Sequence, residues 1–316
     1  MTEGRLRIVR PGLLTTVQDA GRWGHQALGV PVAGPMDPFS HRLANLLVGN
    51  PHGAATLEIT LIGPELECDA QTTMVVTGAD FDVLVDGVVV PSATTFSVEP
   101  GTRVRFGRRA AGARAYLAVA GGGILTAPVL GSRATHLVSG MGGLDGRALV
   151  AGDELPIAAA PTPVRPRRAI GLALPAKGRA VLRLLPGPQI DWFTPDALSV
   201  LTTTPFQIST RSNRMGYRLE GAPLLRRRED EPISEALAFG SLQVPAAGTP
   251  ILLMADRQTA GGYPKVGTVI SADLPVAGQL APGDAVEFAF VDRAAAAAAL
   301  IARERQLLRY AEPASS

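Results

Sequence analysis

The densest run of chemistry-bearing side chains in this sequence is Met254-Ala255-Asp256-Arg257-Gln258-Thr259-Ala260-Gly261-Gly262-Tyr263-Pro264-Lys265. An apolar, strand-like run (PILLMA) delivers these polar groups into a Gly-Gly turn, and loops at strand ends are where function concentrates. Lys265 is suited to hold a carboxylate or a developing oxyanion, and Asp256 to take a proton or fix an ammonium. The competing reading is a charged hairpin braced by an Asp–Arg pair. Ser234-Glu235 could contribute from a neighbouring loop.

A second cluster, Ser209 to Leu219, carries Arg211, Arg214 and Arg218 among Ser212, Asn213 and Tyr217, with Gly216 permitting a bend. Arginine's planar fork binds carboxylate or phosphate bidentately, although an exposed cluster of charge is the plainer reading. A third, Gln18-Asp19-Ala20-Gly21-Arg22, could present an amide, a carboxylate and a guanidinium to one small ligand, or simply form a turn held by the Asp. Asp37 reads first as a helix cap, and Asn45 lies on the polar side of the same helix. Glu58 interrupts an apolar run and is either solvent-facing or buried with a partner. There is no phosphate-binding GxxxxGK[ST] loop, no GxGxxG and no GxSxG elbow. The histidines His25, His41, His52 and His136 show no metal-ligand spacing.

The elements that must position these groups are short. The 316 residues include 35 glycines and 26 prolines, about a fifth of the chain, while 46% are hydrophobic and 18% charged. That composition excludes disorder and long helical bundles and favours many strands joined by tight turns. The net charge of +2 gives no reason to expect nucleic acid as a partner. One cysteine, Cys68, in a strand-like run, excludes an intrachain disulfide and reads as buried. No leader-like or membrane-spanning apolar stretch is present, so a cytoplasmic location is expected. Strands are expected at 5–10, 55–61, 64–68, 72–77, 81–85, 94–98, 103–107, 114–119, 181–185, 205–210, 251–254, 267–271 and 285–291. Asp86-Gly87 marks a hairpin. Helices are expected at 37–48, capped by Asp37 with Pro38 following, at 194–201, and at 292–310. RRRED at 226–230 reads as a solvated loop. The expected domains are a β-rich subdomain over 1–160, a linker over 161–180, and a β-rich subdomain with a C-terminal helix over 181–316.

The segments GLLTTVQDAGRWGHQALGVPVAGPMDPFSHRLANLLVGNP (12–51), LPGPQIDWF (185–193), SNRMGYRLEG (212–221) and ILLMADRQTAGGYPKVGTVISADLP (251–275) resemble the allophanate hydrolase subunit 2 family. That family is also described as KipA-like, as the C-type subunit of 5-oxoprolinase and as a biotin-dependent carboxyltransferase family. The resemblance continues through LEITLIGPEL, VTGADF, RAYLAVAGGG and LGSRATHL, in order along nearly the whole chain. Two small departures are Trp23-Gly24-His25 where Pro-Gly-Tyr is common, and Asn213 where Asp is usual; both leave the choice of substrate open.

The resemblance implies a mainly β protein with a few short helices and two β-rich subdomains, at least one a cyclophilin-like barrel. It implies catalytic roles for Asp256, Lys265 and Arg257. It implies substrate contacts from Gln18, Asp19, Arg22, Asp37, Asn45, Ser212, Arg214, Tyr217, Arg218, Gln258, Thr259 and Tyr263. No metal is implied. The leading expectation is the C-type subunit of a 5-oxoprolinase-like complex that opens 5-oxoproline to glutamate. A KipI-like partner, similar to the B-type subunit of 5-oxoprolinase, would complete the site. ATP would enter through a partner such as an ATP-dependent A-type subunit, with no cofactor tightly bound by this chain. Arg214 or Arg218 would anchor the substrate carboxylate. One alternative is a carboxyltransferase component moving CO2 from carboxybiotin, borne on a separate carrier, to urea or a related amide. The other is a non-catalytic KipA-like antagonist of a KipI-like kinase inhibitor.

Overall fold

The computed structural model describes residues 3–159, 167–169 and 174–310. Most of the expected linker at 161–180 therefore lies outside the described residues. The chain forms two compact units, the first comprising residues 1–22, 33–174 and 306–316, the second residues 23–32 and 175–305.

The first unit is built on β1 (Glu3–Arg10), β2 (Leu14–Gln18), α1 (Pro38–Leu47), β3 (Thr56–Thr60), β4 (Glu65–Cys68), β5 (Thr72–Val85), β6 (Val88–Val90), β7 (Phe96–Val98), β8 (Arg103–Val119) and β9 (Glu154–Ala158). Its nine strands form one sheet in which β2, β3, β8, β4, β1 and β9 are successive neighbours, and β5 pairs β6, β7 and β8. Where two pairs of strands were expected, β5 and β8 each run on as one long strand. Their pairing slips between Gly78 and Val83, so each stays continuous while the alternation of its side chains breaks. The Asp86-Gly87 hairpin is present, with Val85 opposite Val88 and both turn residues at positive φ, +46° and +86°. That is the backbone a two-residue turn requires. Leu6, Ile8, Leu57, Leu66, Leu117 and Ile157 are fully buried in the main core, where Cys68 is also enclosed as a free thiol. Burial pushes the Cys68 thiol pKa up.

Helix α1 starts as its sequence dictates. The Asp37 carboxylate accepts from the Ser40 backbone N–H at 2.9 Å, and Pro38 occupies the first turn. Leu43 and Leu47 on its apolar face are buried against the sheet, each contributing about 1.5–3 kcal/mol.

The second unit is a closed barrel. Its elements are β10 (Arg179–Pro186), α2 (Pro195–Thr203), β11 (Phe206–Ile208), β12 (Gly216–Glu220), β13 (Glu235–Ala236), β14 (Ser241–Gln243), β15 (Ile251–Leu253), β16 (Ala260–Gly261), β17 (Lys265–Val269), α3 (Leu274–Gly278), β18 (Ala285–Phe290) and α4 (Arg293–Leu308). The barrel runs β10-β17-β14-β15-β12-β11-β18 and closes through a parallel pairing of β18 with β10. β13 and β16 form a separate two-stranded ladder, Glu235 opposite Gly261 and Ala236 opposite Ala260. Leu182, Leu184, Phe206, Leu219, Leu252 and Phe288 are buried in this unit. α2 is capped by Thr194 as its sequence suggests, the hydroxyl accepting from the Ala197 N–H at 3.1 Å. The RRRED segment is exposed from Arg227 to Asp230, as expected of a solvated loop, and only its first residue is enclosed. The Arg226 side chain is only 7% exposed and pairs with Glu231, while Arg228 lies 4.2 Å over the Trp192 ring. No helix among the described residues is long and apolar enough to cross a membrane.

Candidate functional site

The first unit places its five expected site residues inside the protein. The Gln18 amide donates to Thr16 Oγ1 at 3.0 Å and to the Thr135 carbonyl at 3.1 Å. Asp19 accepts from the Gly21 N–H, the Ser132 hydroxyl and the Arg133 N–H. Arg22 is fully buried, its Nε donating to the Val129 carbonyl at 2.8 Å and Nη2 to the Ala134 carbonyl at 2.9 Å. The chain passes so close here that a Cβ on Gly142 would strike both the Ala134 carbonyl and Arg22 Nη2, and its φ is +71°. Asn45 donates to the Ala54 carbonyl at 2.8 Å and accepts from Asn50. With Asp37 holding Ser40, all five side chains expected as substrate contacts, Gln18, Asp19, Arg22, Asp37 and Asn45, stitch loops together in this structure. The physical cause is burial: polar groups in a dry interior must take partners, and backbone carbonyls and amides are the nearest ones.

Glu58 settles as a buried, partnered acid. Its Oε2 accepts from the Met36 N–H at 2.8 Å and from the Tyr116 hydroxyl at 2.7 Å, and that hydroxyl also accepts from the Asp37 N–H at 2.8 Å. Burial raises the Tyr116 pKa well above its ordinary value, with Glu58 and Asp37 adding to it.

His41 lies beside this cluster, its Nδ1 3.0 Å from Thr56 Oγ1. Burial lowers its pKa from 6.5 to about 4, against the opposing pull of Asp19 and Glu58. Because the unfolded chain takes up this proton near pH 6.5, stability is complete above that pH and is lost progressively as pH falls toward 4. The expected total loss is about 3 kcal/mol. Urea denaturation at pH 7 and pH 5 checks it: wild type loses stability between the two, and a His41→Gln chain loses less.

The second unit brings its two polar segments together. β15 pairs with β12, and the ladder continues beyond it: the Met254 N–H donates to the Met215 carbonyl at 2.9 Å and the Asp256 N–H to the Arg214 carbonyl at 2.8 Å. Arg214 and Asp256 then meet in a two-pronged pair, Nε to Oδ2 at 3.0 Å and Nη2 to Oδ1 at 2.9 Å, with side chains 5% and 2% exposed. Both Asp256 oxygens are occupied. The pair braces two strand ends, where Asp256 had been expected to act as proton acceptor and Arg214 to anchor a substrate carboxylate. Tyr217 also turns inward, its hydroxyl donating to the Leu280 carbonyl at 3.2 Å. Ser212 closes its own turn by accepting from the Arg218 N–H at 3.0 Å.

Two clefts flank the 256–265 segment, and Gln258 lines both. The smaller, of about 230 Å³, is lined by Arg211, Arg218, Asn213, Gln243 and Tyr263, over an apolar floor of Ile251 and Leu253. Neither the Arg211 nor the Arg218 guanidinium has a hydrogen-bond or ion-pair partner among the described residues. The larger, of about 540 Å³, has Trp23, Leu237, Phe239 and Leu274 as apolar walls and Arg257 and Thr259 as polar ones.

Arg257 is the most unusual group here. It is 8% exposed, its Nε donates to the Leu237 carbonyl at 3.0 Å, and its guanidinium carbon lies 5.6 Å from the Phe239 ring centre. Its two terminal nitrogens make no hydrogen bond among the described residues. Burial pulls its pKa down while Asp256 pushes it up. A fixed, nearly dry guanidinium with unspent donors binds anionic oxygen strongly.

Lys265 lines neither cleft. Its Nζ is 3.0 Å from Glu235 Oε1 and 3.4 Å from the Ala236 carbonyl, and Ala236 is part of the larger cleft's wall. Gln189 joins this contact: Nε2 donates to Glu235 Oε1 at 2.8 Å and Oε1 accepts from the Lys265 N–H at 3.0 Å. The Lys265 and Gln189 hydrogen bonds hold the Glu235 carboxyl below its ordinary pKa. Phe239 and Gln243 lie outside the motifs read in the sequence, while Arg211 and Gln189 lie inside them but are not among the expected site residues. The one readable hint was Gln189 directly after the Pro186-Gly187-Pro188 turn. No group of three or more His, Cys, Asp or Glu side chains among the described residues is placed to hold a metal ion.

Residues 28–290 match the family model described as carboxyltransferase domain, subdomain A and B. The chain is 40% identical to the C-type subunit of 5-oxoprolinase from Escherichia coli, over 90% of each chain, and 36% identical to that of Haemophilus influenzae, over 86% of this chain and 87% of that one. It superposes on the crystal structure of K. lactis urea amidolyase with a TM-score of 0.90 at 29% identity, covering 98% of this chain and 20% of that one. The chain thus spans about a fifth of that larger enzyme and nearly the full length of the bacterial subunits.

Proposed function

Since this chain belongs to the carboxyltransferase domain family, subdomain A and B, we propose that it contributes a carboxyl-transfer centre acting on a small polar amide or lactam. The observation that carries the reading is the pair of adjoining clefts that share Gln258. Transfer between a carrier-borne group and an acceptor needs two binding places with a common wall. The larger cleft suits the ring system of biotin. Trp23 and Phe239 offer flat apolar walls, and the unspent Arg257 donors, with Thr259, suit its ureido oxygen and the carboxyl group it carries. When bound, carboxybiotin on a separate carrier supplies an activated carboxyl group. This chain's part is to hold that group, exclude water from it, and stabilise negative oxygen with Arg257. The smaller cleft takes the acceptor, with Gln258 and Tyr263 offering hydrogen bonds to an amide. The cyclophilin-like identity of the closed barrel and a KipI-like partner subunit belong to the same reading.

A second reading is the C-type subunit of a 5-oxoprolinase, with ATP used by a partner subunit. It is favoured by the full-length similarity to the E. coli protein of that name. The two unpaired guanidinium groups of the smaller cleft also suit a carboxylated lactam better than neutral urea.

One experiment separates the two. The chain is reconstituted with its cognate partner proteins and supplied with ATP and bicarbonate, and 5-oxoproline and urea are offered in parallel with and without avidin. The expected result is turnover that avidin abolishes. Glutamate release from 5-oxoproline that is indifferent to avidin would overturn carboxyl transfer and leave the second reading.

A further inference from the structure

Of thirty basic residues in this chain, only Lys177 and Lys265 are lysines; the rest are arginines. Lys177 is exposed, whereas Lys265 is 7% exposed. An ammonium in so enclosed a place differs from a guanidinium in kind: it is a compact charge with three rotatable donors and a proton it can lose. One donor goes to Glu235 Oε1 and one to the Ala236 carbonyl. A third has no partner among the described residues.

Three stretches converge on it. Lys265 begins β17. Glu235 sits on β13, which pairs with β16 at Ala260–Gly261. Gln189 follows the turn that leaves β10, and that turn packs tightly: a Cβ on Gly187 would strike the Lys265 carbonyl, and the Gly187 N–H donates to the Val266 carbonyl at 3.0 Å. Gln189 therefore holds both partners, its amide nitrogen on the carboxylate and its oxygen on the lysine backbone. Glu235 is the one charged group that pairs with Lys265 among the described residues.

We infer that Glu235, oriented by Gln189, is a positioning residue that fixes the Lys265 ammonium behind the Ala236 wall of the larger cleft. The inference deepens the proposed function and rests on it, because the ammonium so held adds positive charge where negative oxygen develops. Exposed ion pairs of this length contribute little, but here one member is nearly enclosed and the other is clamped by a neutral amide. The pair therefore sets the place of the ammonium rather than the stability of the barrel.

The test uses the full chain labelled with carbon-13 at lysine Cε. Two resonances are expected, and their pH titration reads Lys265 and Lys177 separately. In Glu235→Gln the Lys265 midpoint should fall, while Lys177 stays put. In the reconstituted complex, the same variant should lose roughly tenfold in kcat with little change in KM. The alkaline limb of its pH profile should move down with the NMR midpoint. Glu235→Asp should recover part of kcat. An unmoved Lys265 midpoint in Glu235→Gln overturns the inference, as does a moved midpoint with unchanged kcat and pH profile. Full turnover in Lys265→Met overturns it through the lysine itself. If the wild-type complex is inactive on every acceptor, the functional reading falls separately, and the titration of the free chain still decides whether the clamp exists.

Discussion

Arg214→Ala is expected to cost the protein about 3–5 kcal/mol, because it strands a carboxylate in a dry site. Both oxygens of Asp256 accept from Arg214, and Asp256 is 2% exposed. With the guanidinium gone, that buried charge loses both hydrogen bonds of its paired partner, which favours opening of the end of β15. Asp256→Ala leaves the guanidinium buried and is expected to be similarly damaging. The double variant Arg214→Met, Asp256→Leu is expected to recover most of the loss, since apolar side chains of similar bulk replace a buried pair at little net cost. Urea denaturation of the four chains measures the cycle. Turnover of the reconstituted complex then separates brace from chemistry: if the pair only ties strand ends, the double variant works within a few-fold of wild type. A stable but inactive double variant would return a proton-transfer role to Asp256.

Local signals in the sequence were legible because local physics settles them. Asp37-Pro38 and Thr194-Pro195 each combine a side chain that can satisfy a free helix N–H with a residue that needs none. Asp86-Gly87 supplies the two positive φ angles that its turn needs. β12 was not legible as a strand. Gly216, Arg218 and Glu220 on its outer face look like loop residues, and only pairing with β15 makes them a strand. The long β5 and β8 looked like shorter pieces because slips in register imitate turns. The assignment of residues 23–32 to the second unit rests on contacts distant in sequence and left no local trace.

The site was half legible for the same reason. Arg22 and Arg257 each follow closely on an aspartate, and their flanking residues do not tell them apart. What separates them is the loop that surrounds each. Backbone carbonyls from residues 129 and 134 take Arg22 Nε and Nη2. Arg257 meets one carbonyl, at Leu237, and an aromatic face. Its remaining donors open on a cleft.

That difference makes opposite predictions for the same substitution. Arg257→Met is expected to lower kcat of the reconstituted complex about 100- to 1,000-fold, the usual effect of removing a prearranged donor to developing negative oxygen. Its folding cost should be modest, about 1–2 kcal/mol, since it gives up one hydrogen bond and keeps an apolar stem against Phe239. Arg22→Met should do the reverse. It strips two carbonyls of a fully buried donor, so the chain should be destabilised by several kcal/mol, while whatever folds should retain most of its turnover. Arg257→Lys restores charge without the planar fork and should recover only part of kcat. Added guanidinium ion at millimolar concentration should rescue Arg257→Met and leave Arg257→Lys unchanged, because only the former leaves a vacancy of the right shape. Were Arg257→Met to keep full turnover, the buried cation of the larger cleft would have no part in the chemistry, and the reacting carboxyl group would have to be sought elsewhere.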